Sequence, residues 1–305
     1  MKVGLSIARF NWPGQPDSFG PRLTEIATRA DHGGVHSIWA MDHFWQIGFN
    51  GPPEDPLLES YTLLPYLAGI TRHVHLGALV TGVSYRHPGV LLKALTSLDV
   101  LSGGRAWLGI GAAWNKAEAA GLGIPFPPLA TRYRQLEETL QIAERMWSGD
   151  ESPFHGTEYR LERPLNSPGA IRVPHPPILI GGGGERRTLR LVAQYADACN
   201  LFDQGDLAPL EHKLAVLRRH CDEVGRDYDE IAKTTAGYLP EGGPAAAAEH
   251  LGRLADLGID LAIVELPGTD ASAVEPVAAA ARDVAAYGRP APAVLEPAAT
   301  GLLRR

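Results

Sequence analysis

Four consecutive glycines, Gly181–Gly184, are the plainest chemical signal in the chain. They follow an apolar run, Pro177–Ile180, and precede a helical pattern with Arg186 and Arg187 in its first turn. Glycines let successive backbone N–H groups face one concavity, and a helix N-terminus adds partial positive charge. Together they make a candidate phosphate cradle. The alternative is a tight strand-to-helix turn, although each added glycine carries a backbone-entropy penalty that a plain turn does not require. No Gly-Lys-Ser/Thr follows, so this is not a Walker A loop. Nor does it lie on a first βα unit, where the dinucleotide fingerprint belongs.

Asp42 and His43 close a second apolar run that begins at Ser37. An imidazole titrates near neutrality (about 6.5), so His43 is the candidate proton-handling group. Neighbouring extended residues face opposite sides, so Asp42 and His43 need not form a dyad, and a purely structural histidine is the alternative. His73-Val74-His75 has metal-pair spacing but opens a strand rather than closing one. His87 precedes a helix-opening Pro88 and reads as a cap or a site residue. Cys199 and Cys221 fall inside a strand and a helix and read as small buried apolar groups. The G-x-S-x-G elbow of serine hydrolases does not occur in the sequence.

These residues need a frame, and the apolar pattern supplies one. Strand runs at Lys2–Ala8, Ser37–Asp42, His75–Thr81, Arg105–Ile110, Pro177–Ile180, Ala198–Phe202, Ile231–Tyr238 and Leu261–Leu266 alternate with helical stretches. The helices are predicted at 21–33, 59–69, 89–101, 131–147, 186–195, 207–224, 244–257 and 271–287. Eight strand–helix pairs predict an α/β (β/α)₈ TIM barrel in a single domain over 1–305, with chemistry at the strand C-terminal ends. On that frame His73 and His75 lie at the wrong end for catalysis. Residues 150–176, rich in Pro and Gly, form an insertion before the fifth strand, with a small hairpin near Phe154–Tyr159 centred on Gly156. Residues 288–305 are expected to be a loosely docked tail.

Composition narrows the function. The chain has 305 residues, 45% of them hydrophobic, enough for a sizeable core. Its 28 Lys and Arg against 35 Asp and Glu give a net charge of −7, without the basic surplus of a general nucleic-acid binder. No apolar run reaches the roughly 18–20 residues of a membrane helix. Two cysteines are too few for a disulfide framework, and a reducing cytoplasm is the expected setting.

Four segments together resemble the bacterial luciferase-like monooxygenase superfamily, and within it the coenzyme F420-dependent oxidoreductases. They are Ser37–Phe44, Leu76–Pro88, Leu98–Arg105, and Pro177–Gly184 with Ala196–Asn200. The resemblance implies a deazaflavin (F420) or, alternatively, FMN at the strand C-terminal face. It implies a non-prolyl cis peptide within Ala78, Leu79, Val80 and Thr81 that backs the ring, and a phosphate on Gly181, Gly182, Gly183 and Gly184. Asp42, Gly111 and Asn115 become cofactor contacts, and His43 faces the reacting ring. The insertion shapes the substrate pocket. The stretch before Asn115 reads Ala112-Ala113-Trp114, where glucose-6-phosphate-oxidising relatives carry a glutamate, which argues against sugar-phosphate oxidation. Expected partners are a small-molecule substrate, a second copy in a homodimer, and a reductase supplying reduced cofactor. The competing functions are an FMN-dependent monooxygenase and a non-catalytic flavin- or phosphate-binding barrel.

Overall fold

Apolar runs such as Ile178–Ile180 and Leu261–Val264 become strands buried on both faces, as parallel strands covered by helices must be. The computed structural model describes residues 1–296. In chain order the strands are β1 (Lys2–Ile7), β2 (Ser37–Ala40), β3 (His75–Ala78), β4 (Thr81–Gly82), β5 (Ala106–Gly111), β6 (Phe154–His155), β7 (Arg160–Leu161), β8 (Ile178–Gly181), β9 (Ala198–Phe202), β10 (Ala232–Gly237) and β11 (Leu261–Glu265). The helices are α1 (Phe19–Gly33), α2 (Ser60–Ile70), α3 (Pro88–Ser102), α4 (Lys116–Gly121), α5 (Leu129–Ser148), α6 (Thr188–Tyr195), α7 (Ala208–Val224), α8 (Gly243–Asp256) and α9 (Val274–Asp283).

Parallel pairing runs β3-β2-β1-β11-β10-β9-β8-β5, and β5 returns to β3 and β4, so the sheet closes into an eight-stranded TIM barrel. The seam pairs Leu5 of β1 with Val264 of β11. Each predicted strand–helix pair is present, with local differences. The third strand is not continuous: the chain bulges at Leu79–Val80, whose peptide is cis, and resumes pairing as β4. An unpredicted short helix, α4, starts where the Asn115 side chain caps it. α6 begins at Thr188, so Arg186 lies in a turn before the helix and Arg187 at its N-cap position without a capping bond, rather than both lying in its first turn. α9 starts at Val274 because Asp270 first caps a separate 3₁₀ turn.

Three glycines make room for the bulge. A Cβ on Gly109 would fall 1.9 Å from the Ala78 carbonyl oxygen, and one on Gly181 would fall 2.8 Å from Val80 Cγ1. One on Gly111 would approach Val80 Cγ2 to 3.0 Å. Below the bulge Trp39 and Trp107 meet edge to face at 5.8 Å and fill the barrel with Leu179, Ala198, Leu261 and Ile263.

The floor is closed by part of the tail. As far as Glu296 that segment docks more firmly than its composition predicted: Leu295 is buried against the interior, and its carbonyl meets His36 Nε2 at 2.9 Å. Arg172 from the insertion donates to the Val294 carbonyl at 3.0 Å. Residues 297–305 lie outside the described residues. His75 stacks on His36 with ring centroids 4.8 Å apart, whereas His73 reaches Asp31 at 3.1 Å, so the two histidines of the metal-like pair do not converge. The insertion carries the β6–β7 hairpin, with strands set slightly wider than predicted around a turn over residues 156–159. Its turn is anchored by the Glu138 carboxylate of α5, which accepts from the N–H groups of Thr157, Glu158 and Tyr159 at 2.7, 3.0 and 2.9 Å.

Candidate active site at the barrel mouth

His43 follows β2 at the strand C-terminal end and is nearly buried. Its Nδ1 lies 2.7 Å from Glu118 Oε2, and the Tyr85 hydroxyl donates to the same oxygen at 2.5 Å. The other Glu118 oxygen accepts from the backbone N–H groups of Phe44 and Trp45, the latter at 2.9 Å. A carboxylate buried with this many donors is held ionised. Burial pushes the Glu118 carboxyl upward, but the bonds from His43, Tyr85 and Trp45 outweigh it and leave the group below its ordinary value. Burial, then the bond to Glu118, pushes the Tyr85 hydroxyl above its own. A carboxylate at Nδ1 fixes that nitrogen as the protonated one. Nε2 then becomes the atom able to exchange a proton, and it has no protein partner among the described residues.

Asp42 sits in a different network. Arg86 grips it with two parallel bonds, at 2.7 and 3.0 Å, and Ser60 donates at 2.5 Å. Arg86 also pairs with Glu59 and lies over the Tyr61 ring, 4.5 Å from its centroid. Burial would lower the Arg86 pKa, yet the hydrogen bonds to Asp42 outweigh it and raise the pKa. The sequence reading made Asp42 a cofactor contact. Here its side chain is buried, both oxygens are engaged by Arg86 and Ser60, and it clamps the Arg86 loop. Thr81 is likewise buried, its hydroxyl 2.9 Å from the Tyr61 hydroxyl.

The rim is aromatic. Trp114, Phe49, Phe202 and Tyr238 are exposed. Trp114 meets His43 edge-on at 5.4 Å and Phe49 at 6.5 Å. Across the mouth Gly181 ends β8 and Gly182 turns the chain with φ +122°, a region that favours glycine. The N–H of Gly182 is spent on the Asn200 carbonyl at 3.1 Å. Those of Gly183 and Gly184 have no backbone acceptor among the described residues and are left free to face a ligand. Gly181 also makes room for Val80, which a Cβ there would approach to 2.8 Å.

The luciferase-like monooxygenase family model matches residues 1–282. The chain belongs to this family. Within reach of its sequence are F420-dependent glucose-6-phosphate dehydrogenases. The one from Amycolatopsis mediterranei is 30% identical over 193 residues, covering 62% of this chain and 55% of that protein. The one from Nakamurella multipartita is 29% identical over 236 residues, covering 73% and 65%. The chain thus matches less than two thirds of the length of either relative. Among solved structures, an F420-dependent secondary alcohol dehydrogenase in complex with an F420–acetone adduct superposes with a TM-score of 0.77. It is 14% identical and covers 93% of this chain and 99% of that one, a likeness of fold.

Against the family frame, the sequence-predicted residues separate into three groups. His43 and the glycine turn reach the mouth. Ala78, Leu79, Val80 and Gly111 form and accommodate the bulge beneath it. Asn115 caps α4, its Oδ1 accepting from the Glu118 N–H at 3.2 Å. Sequence reasoning missed Glu118 and Arg86 as partners of His43 and Asp42. One signal was available for the first: Asn115 with a glutamate three residues later has the spacing of a helix N-terminus. Nothing local points from Glu118 to His43, which is 75 positions away.

Proposed function

We propose that this protein is an F420-dependent oxidoreductase acting on a small organic substrate, with His43 as the residue that holds and transfers the proton. The observation that carries this reading is the His43–Glu118 pair, with Nε2 left unpaired beside the exposed aromatic rim and across the mouth from the glycine turn. The F420-dependent relatives support the choice of cofactor.

The residues present fit such a group. Gly183 and Gly184 would hold its phosphate, and a Cβ on Gly183 would meet only Lys213 Cε, at 3.6 Å, so the surface there is open. The Leu79–Val80 bulge and the aromatic rim offer apolar surface to a flat heterocycle. When bound, the deazaflavin supplies a hydride donor or acceptor at C5. The chain's own work is to position, exclude water and manage charge. Glu118 keeps Nδ1 protonated and the ring fixed, so Nε2 is the atom that gives or receives a proton as charge develops on the substrate. Trp114 and Phe49 keep apolar surface on one side of that atom.

Titration of the purified protein with F420 and with FMN, read by cofactor fluorescence and followed by single-turnover assays, tests the proposal. F420 should bind more tightly and undergo C5 redox turnover with an organic substrate panel. Preferential FMN binding with oxygen consumption would replace it with the monooxygenase reading. Binding of either group with no turnover would leave a ligand-binding barrel. A homodimer is part of the same proposal, and light scattering at micromolar concentration tests it.

A further inference from the structure

Outside the mouth, a groove of about 440 Å³ runs between α5 and α6. Arg186, Arg187 and Arg190 line one wall and Arg134 and Tyr133 the other. It begins at the glycine turn: a Cβ on Gly184 would fall 2.9 Å from the Tyr133 hydroxyl, and the Arg187 guanidinium lies over the Tyr133 ring at 5.4 Å. Four guanidinium groups around one cavity are out of keeping with a chain of net charge −7. Among the described residues only Arg134 of the four has a carboxylate partner. Glu185, in the turn itself, is taken by Lys213 and by His212 at 3.2 Å. Glu158 pairs with Arg134 at 2.7 Å. Glu137, on the groove wall, accepts from Tyr195 at 3.5 Å. Arg186 and Arg190 are exposed and have no carboxylate partner among the described residues. Arg186 in the turn and Arg190 on α6 line the same cavity.

We infer that this groove is the subsite for an anionic chain continuing outward from the phosphate on the glycine turn, namely the carboxylate-bearing tail of the cofactor. The inference rests on the F420 reading and goes beyond it. The phosphate on Gly183 and Gly184 fixes where the chain leaves the mouth, and the groove opens at that point. Beyond the phosphate FMN has no further group, whereas F420 continues as a lactyl-oligoglutamate chain with a carboxylate on each unit. Arginine is suited to such a chain because its planar fork binds carboxylates in pairs. The groove would therefore discriminate between the two cofactors without touching the ring.

The test compares F420 carrying its oligoglutamate chain with F420 lacking all glutamates. Kd is measured by cofactor fluorescence for the wild type and for the Arg186→Gln/Arg190→Gln double variant. Both substitutions are on exposed side chains outside the catalytic constellation. In the wild type the tailed form should bind about tenfold more tightly than the tail-less form at low salt. The advantage should shrink as ionic strength shortens the screening length below about 10 Å. The double variant should lose it while binding the tail-less form as the wild type does. Equal wild-type affinity for both forms overturns the inference but leaves the F420 reading intact. An equal loss for both forms in the variant overturns it too, by assigning the arginines to the phosphate. If neither form binds, the F420 reading fails and the inference fails with it. Tripolyphosphate is the probe for a different anion: binding that needs the arginines and does not compete with tailed F420 would assign the groove to a separate polyanion.

Discussion

At the mouth of the barrel His43 faces a buried carboxylate at 2.7 Å, whereas at the floor His36 and His75 face each other, a backbone carbonyl and an indole N–H. Both ends bury imidazoles, but only the mouth supplies an ionic partner. Burial pushes His36 down to about 4 and His75 well below its ordinary value, so the floor keeps its histidines neutral. Glu118 at the mouth keeps its charge because its hydrogen bonds outweigh desolvation. The difference teaches where chemistry belongs in this barrel. The floor is packing and capping, with Leu295 and the tryptophans excluding water. Among the described residues, the mouth retains charge, an unpaired imidazole nitrogen and open backbone N–H groups.

The sharpest way to break this contrast is at His43. His43→Ala should lower kcat by about 10²–10⁴ while cofactor still binds, measured by steady-state kinetics beside a binding titration. A near-normal kcat would make the mouth histidine as structural as those of the floor. At the floor, Trp107→Ala should cost about 3–5 kcal/mol in denaturant unfolding, with kcat of the folded fraction little changed. Loss of turnover in the folded variant would erase the division of labour. At the glycine turn, Gly183→Val should weaken cofactor binding by about tenfold, from one lost phosphate contact, with little change in Tm. Gly182→Val should instead strain the backbone, because its φ is +122°.

A further effect is in pH. The folded-state pKa of His36 lies below its unfolded value of 6.5, so the unfolded chain takes up that proton first. Stability contributed by neutral His36 is present above about pH 6.5 and is lost as pH falls toward about 4. Glu118 is also depressed, and its contribution is lost only as pH falls below the ordinary carboxyl range. Between about pH 6.5 and the ordinary carboxyl range the floor responds and Glu118 does not. His36→Gln should flatten the stability profile between pH 6.5 and pH 4. An unchanged slope would mean that His36 is not the titrating group.

The barrel was legible because its strands are short apolar runs separated by helical periods, and each had to be buried on both faces. His43 and the glycine turn were legible because strand ends mark the mouth. The break in the third strand was not visible as a pattern; it entered through family resemblance, and Gly109, Gly111 and Gly181 explain it only once the three are seen together. Glu118 and Arg86 were hidden because ion pairs between segments far apart in the chain leave no periodicity. The bond between Asp42 and Arg86 was hidden for the same reason: the two are 44 positions apart. Leu295 was hidden by its setting, since a Pro- and Ala-rich segment does not announce the one side chain that seals a floor.

The seam between β1 and β11 has a consequence for how the molecule is made. Leu5 and Val264 pair in register although almost the whole chain lies between them. The entropy of closing so long a loop grows slowly with its length, but such distant contacts form late and slowly. Until they form, two strand edges stand open, each a template for another chain. The finished ring has no such edge. Its most vulnerable period therefore falls during assembly, and faster synthesis or higher temperature at that stage would favour aggregation even for a sequence whose completed form is robust.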